Sequence, residues 1–180
     1  MEATQITDYH PCLASEAAGY VLERDLWQVM LTVAVALIPV HGRGEAHGHI
    51  TARCIELTDT GFALAHFTPE EDATPEGDVW ALGATVYHLA LGLPLFGGRG
   101  PSAQTPETPL PIIREAWPVL SHWVRRMLAY APSARPAMTE IADEARRQLA
   151  RPAEAHAPLR QASEAASALP ADSHWPETMC

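Results

Sequence analysis

Between Arg24 and Pro39 the apolar residues Leu26, Trp27, Val29, Met30, Val33, Ala34 and Leu37 cover most of a helical circumference until Pro39 stops the pattern. A helix with so little polar surface has to be packed on several sides, so the chain must bring other elements around it. The spacing predicts where they come from. Val79, Trp80, Leu82, Val86, Tyr87 and Leu89 form a second such helix, with Asp78 placed to cap it and Gly92 to close it. Val119, Leu120, Trp123, Val124, Met127 and Leu128 keep helical spacing from about Pro118 to the Pro132 turn, and Met138 to Leu149 forms one more amphipathic helix. Trp80, Tyr87 and Trp123 lie on these stripes and read as core. After the first helix, Cys54 to Leu57 faces Phe62 to Ala65 across Thr58-Asp59-Thr60-Gly61. That is a β-hairpin signal, with Gly61 free to take positive φ.

These elements imply one domain over residues 24–150. Residues 1–23 carry Pro11 and Gly19 without a sustained period and read as an irregular lead-in. Gly97 to Pro111 holds four prolines and three glycines and reads as a flexible connection. Residues 151–180 turn to alanine, proline, glutamate and serine with little to bury, which predicts a disordered tail. A length of 180 residues at 47% apolar composition suits that plan. The formal charge of -10 argues against nucleic acid or an anionic membrane surface as partner. The longest apolar stretch, Leu26 to Val40, is interrupted by Gln28 and Thr32 and is too short to span a bilayer. Cys12, Cys54 and Cys180 are odd in number and scattered, and no charged segment followed by an apolar one opens the chain, so a cytoplasmic location is expected.

Four segments carry a resemblance. Ala46-His47-Gly48-His49-Ile50-Thr51-Ala52-Arg53-Cys54-Ile55 is similar to the catalytic loop of protein kinases, which reads His-Arg-Asp, an aliphatic residue, Lys, Pro, a variable residue, Asn and Ile. Ala65-His66-Phe67-Thr68 falls where Asp-Phe-Gly belongs, directly after the hairpin. Gly77-Asp78-Val79-Trp80-Ala81-Leu82-Gly83 through Gly92-Leu93-Pro94-Leu95-Phe96 resembles the long central helix and its following Gly-x-x-Pro-Phe turn. Ala131-Pro132-Ser133-Ala134-Arg135-Pro136 resembles the Asp-Pro-x-x-Arg-Pro turn. In this order they resemble the C-lobe of the eukaryotic-type, or Hanks-type, Ser/Thr protein kinases, which bacteria also carry. The fold implied is mainly α, a kinase C-lobe-like helical domain with one small β-hairpin. No glycine-rich loop, strand lysine or partner glutamate helix precedes Arg24, so the N-lobe is expected to be absent.

By position, the resemblance assigns architectural roles to His47, to Phe67 in the metal-binding turn, to Asp78 as the helix residue gripping the catalytic-loop backbone, and to Arg135. Thr68-Pro69-Glu70 or Thr74-Pro75-Glu76 stands as a remnant of the Ala-Pro-Glu motif whose glutamate pairs with that arginine. The chemical positions are all altered. His49 stands for the proton-accepting aspartate, Thr51 for the lysine, Cys54 for the asparagine and His66 for the magnesium-binding aspartate. The chain contains neither lysine nor asparagine; all of its 12 Lys+Arg residues are arginine. Phosphoryl transfer in this family uses both missing types, so ATP and magnesium are expected to bind weakly or not at all. The segment between Phe67 and Asp78 is also too short for the family's substrate-docking platform.

The expectation is therefore a catalytically inactive, truncated pseudokinase that binds or regulates another protein, with no cofactor. One alternative is a residual or split Ser/Thr kinase whose N-lobe comes from another chain. A second is a zinc- or copper-binding kinase-like domain, because His49, Cys54 and His66 are soft-ligand types at positions that converge on the metal in the family, with His47 or His41 as an extra ligand. The plainer account is drift after catalysis was lost, with Cys54 a small buried hydrophobe. A Cys54–His49 nucleophile lacks an orienting third group. Arg125-Arg126 and Arg146-Arg147 end apolar helices, where a solvated face is the default. The expected partner is a protein, either a cognate kinase, a phosphatase or a second copy. It would cover the surface around Leu13, Tyr20 to Leu22, Phe62 and Phe67 that the N-lobe covers in intact kinases.

Overall fold

A computed structural model of the chain describes residues 22–59, 61–65, 72–110, 113 and 115–152. Among the described residues, besides short 3₁₀ turns, there are four α-helices and one two-stranded sheet: α1 (Glu23–His41), β1 (Ile55–Thr58), β2 (Gly61–Leu64), α2 (Pro75–Leu91), α3 (Pro118–Met127) and α4 (Met138–Leu149). The expected lead-in and tail lie outside the described residues, apart from Leu22, Glu23, Arg151 and Pro152.

The apolar pattern of α1 makes it the centre of the domain. Leu26, Trp27, Met30, Val33 and Ala34 have no exposed surface, and the helix lies against α4, α2 and β2. Each such leucine or methionine contributes roughly 1.5–3 kcal/mol by leaving water. Ile141, Ala142 and Ala145 of α4 supply the facing surface, and Arg24 ties the two helices by donating from Nη1 to the Leu149 carbonyl at 3.0 Å. At its start, the Leu22 N–H donates to Asp25 Oδ2 at 3.0 Å, and the buried Trp27 indole donates to Glu23 Oε1 at 3.2 Å. The helix runs two residues beyond Pro39 rather than ending there. Proline removes the bond to the carbonyl four residues earlier, that of Val35, a residue 45% exposed.

The hairpin pairs antiparallel in the register Ile55↔Leu64, Glu56↔Ala63, Leu57↔Phe62 and Thr58↔Gly61. Ile55 is buried while Leu57 is 51% exposed, so one apolar side chain of β1 is only about half covered.

Helix α2 starts three residues before Asp78. Pro75 stands at the first helical position, where its missing N–H costs nothing, and the Thr74 hydroxyl accepts from the Gly77 N–H at 3.0 Å. Thr74→Ala should lower the unfolding free energy by about 1 kcal/mol, measured by urea denaturation, with Thr74→Ser close to wild type. Gly92 ends the helix at φ +71°. The residues after it are not a simple flexible connection. Gln104 is buried and bridges two helices, its Oε1 accepting from Trp80 Nε1 at 2.9 Å and its Nε2 donating to the Leu128 carbonyl at 2.7 Å. No described helix is long and apolar enough to cross a membrane.

Candidate functional site

Residues 45–51 have no regular structure, so their backbone groups need partners elsewhere. Helix α2 supplies them. Asp78 Oδ2 accepts from the His47 N–H at 2.7 Å and Oδ1 accepts from the Gly48 N–H at 2.8 Å. Two consecutive N–H groups can converge on one carboxylate because Gly48 sits at φ +85°, a conformation that other residues rarely adopt. Two helical turns further along the same face, Thr85 Oγ1 donates to the Ile50 carbonyl at 3.2 Å. The loop is thus pinned near both ends through its main chain.

Asp78 is 1% exposed. Burial pushes its pKa up, but the hydrogen bond from His41 and the backbone bonds from His47 and Gly48, with the attraction of His41, outweigh burial and hold the carboxyl below the usual aspartate range. His41 Nε2 lies 2.9 Å from Asp78 Oδ2 with its side chain 13% exposed. His41 therefore closes a three-donor cage around the carboxylate. His47 is buried, and its Nδ1 accepts from the His49 N–H at 3.3 Å. That bond makes Nδ1 the acceptor and places the proton of a neutral ring on Nε2.

The altered positions follow this loop and the short 3₁₀ turn over Ala52–Cys54. His49 is exposed, Thr51 half-buried and Cys54 buried. Cys54 Sγ donates to the His49 carbonyl at 3.2 Å and lies 3.5 Å from Thr51 Oγ1. The structure therefore gathers His49, Thr51 and Cys54 in one turn, with the thiol directed at the main chain of His49. His66 and Phe67 lie outside the described residues, as does Thr68-Pro69-Glu70. Among the described residues no group of three His, Cys, Asp or Glu side chains is arranged to hold a metal ion.

Arg135 forms a second anchor. Its Nε donates to the Ala129 carbonyl at 2.9 Å, Nη1 to the Glu76 carbonyl at 2.9 Å and Nη2 to the Tyr130 carbonyl at 3.2 Å. Burial lowers the guanidinium pKa and the Glu76 charge opposes that, with burial the stronger. Of the two Thr-Pro-Glu segments, Thr74-Pro75-Glu76 thus lies beside Arg135, joined through a carbonyl and by attraction between charges. Sequence reasoning did not foresee the bond of His41 to Asp78, nor the roles of Thr85 and Gln104. The Thr-Pro pair at 74–75 was a readable helix start.

No family profile matches the chain. In sequence it is similar to a Wee1-like protein kinase of Arabidopsis thaliana, 28% identical over 156 residues, which cover 73% of this chain and 31% of that protein. In structure it is similar to the PknI kinase domain of M. tuberculosis, with a TM-score of 0.57 and 25% identity over 76% of this chain and 59% of that one. The chain therefore spans about a third of the curated relative and less than two thirds of the solved domain. Its fold is protein-kinase-like, mostly helical with one small antiparallel sheet.

Proposed function

We propose that this kinase-like fold is catalytically silent and acts by binding another protein. One observation carries the reading: the pinned loop presents an imidazole at position 49, a hydroxyl at 51 and a thiol at 54, where kinase chemistry uses a carboxylate, an ammonium and a carboxamide. Magnesium takes hard oxygen ligands in an octahedral array, and this donor set does not fit it. The Cys54 thiol is also directed into its own loop, toward the His49 carbonyl. No step of phosphoryl transfer is therefore assigned to these residues.

The binding role rests on apolar side chains that are partly exposed among the described residues. Leu22 is 46% exposed and Leu57 51%, and Leu57 pairs across the hairpin with the half-buried Phe62. The proposed partner is a cognate kinase, a phosphatase or a second copy of the chain, seated on this side.

A thermal-shift titration of untagged protein tests the silence. A ligand at ~100 times its dissociation constant adds about 2.7 kcal/mol to stability. The expected result is no shift with Mg-ATP or Mn-ATP. A clear nucleotide shift would revive a residual or split kinase, and a shift with Zn²⁺ or Cu²⁺ alone would favour a soft-metal site at His49, Cys54 and His66. Light scattering after size exclusion tests the binding role. Self-association, or binding of an exposed-hydrophobe dye that Leu57→Ser removes, is expected; a clean monomer that binds no dye counts against it.

A further inference from the structure

A cavity of about 430 Å³ lies away from the loop, between the end of α1, the start of α2 and the turn that leads into α4. Ile38, Val79 and Met138 give it an apolar floor, and Pro75, Pro132 and Pro136 form much of its wall. Proline fixes its own φ, so such a wall is stiff and the cavity is held open in advance. Small-molecule pockets measure about 300–1,000 Å³ and combine an apolar lining with a few fixed polar groups.

Arg135 is the fixed cation of this lining. Among the described residues its hydrogen bonds all run to carbonyls, those of Ala129, Glu76 and Tyr130. A guanidinium has five N–H donors, so two remain, and no carboxylate is hydrogen-bonded to its charge. The Glu76 carboxylate, which also lines the cavity, acts on it through space. We propose that the cavity binds a small apolar monocarboxylate, with its hydrocarbon chain on Ile38, Val79 and Met138 and its carboxylate on Arg135. The site uses none of the positions at 47–54, although His41, whose ring is bound to Asp78, is also part of its lining.

Octanoate, octanol and octylamine serve as probes in calorimetric titration of the full chain. Octanoate should bind at least about tenfold more tightly than octanol, a difference of ~1.4 kcal/mol. Ser133 stands exposed in the lining, and Ser133→Trp should abolish octanoate binding while the circular dichroism stays that of the wild type. Glu76→Gln removes the competing carboxylate and should tighten octanoate binding. Absence of octanoate binding, equal binding of octanol, or indifference to a folded Ser133→Trp variant would each overturn the proposal. So would weaker octanoate binding by Glu76→Gln, or an octylamine preference that this variant removes. If Ser133→Trp does not fold, Thr139→Tyr blocks the same lining and is read in the same way.

Discussion

Asp78→Ala should lower the unfolding free energy by about 3–5 kcal/mol, the range for breaking a buried charge away from its partners. The carboxylate is 1% exposed and receives the His47 and Gly48 N–H groups and the His41 ring. Truncation leaves those donors facing a void, and a buried donor without a partner costs about 1–3 kcal/mol. Against a total of about 5–15 kcal/mol for a domain, the loss is large. Urea denaturation reads it as a lower midpoint at unchanged slope. Asp78→Asn keeps the shape but turns an NH₂ toward N–H donors, so it should lie between wild type and alanine. The pH dependence has a definite sign. The folded-state pKa is held below the unfolded value of about 3.9, so this stabilisation is fully present above that pH and is lost as pH falls through the folded-state value. The gap between wild type and Asp78→Ala should narrow in acid. A gap that stays open at pH 2 would show that the carboxylate charge is not what holds the loop.

Gly83→Ala is the second large effect, and its sign runs against helix propensity. In a helix interior the exchange would ordinarily gain about 0.8–1 kcal/mol. Here a Cβ on Gly83 would lie 2.9 Å from Met127 Cβ, 3.2 Å from Leu128 Cγ and 3.3 Å from Leu128 Cδ2. Met127 Cβ is fixed to the α3 backbone and cannot swing away, so α2 and α3 must separate. Overpacking of this kind typically costs 1–3 kcal/mol, so a net loss of up to about 2 kcal/mol is expected by thermal or urea denaturation. An unchanged or raised midpoint would mean that the helices part more easily than their packing implies. The Gln104 bridge between Trp80 and the Leu128 carbonyl spans the same junction, so Gly83→Ala and Gln104→Ala should be non-additive.

The helices and hairpin were readable because each repeats a short period many times over. Leu26 to Leu37 and Val79 to Leu89 state their burial in every turn, and Gly92 marks a helix end by a conformation that favours glycine. The misread boundaries turned on single residues whose meaning depends on surroundings. Pro39 continues its helix at a turn where Val35 is half exposed, and Asp78 leaves the capping to Thr74 because the His47–Gly48 turn lies beside it. His41 and Asp78 are 37 residues apart, and Gln104 and Trp80 are 24 apart. Hydrogen bonds at such separations leave no period in a sequence. The altered positions 49, 51 and 54 were readable as residue types, but the direction of the Cys54 thiol toward the His49 carbonyl was not.

Because Asp78 and Thr85 address amide and carbonyl groups, the path of the 46–51 loop does not depend on the exposed side chain at 49 or the half-buried one at 51. Gly48 is fixed by its positive φ, and His47 and Ile50 by their burial. Positions 49 and 51 can exchange imidazole, hydroxyl, carboxylate or amine without asking the domain to refold. The loop is in that respect a mount with interchangeable fittings, on which functional groups can be lost, or installed by design, while the scaffold stays at its original stability.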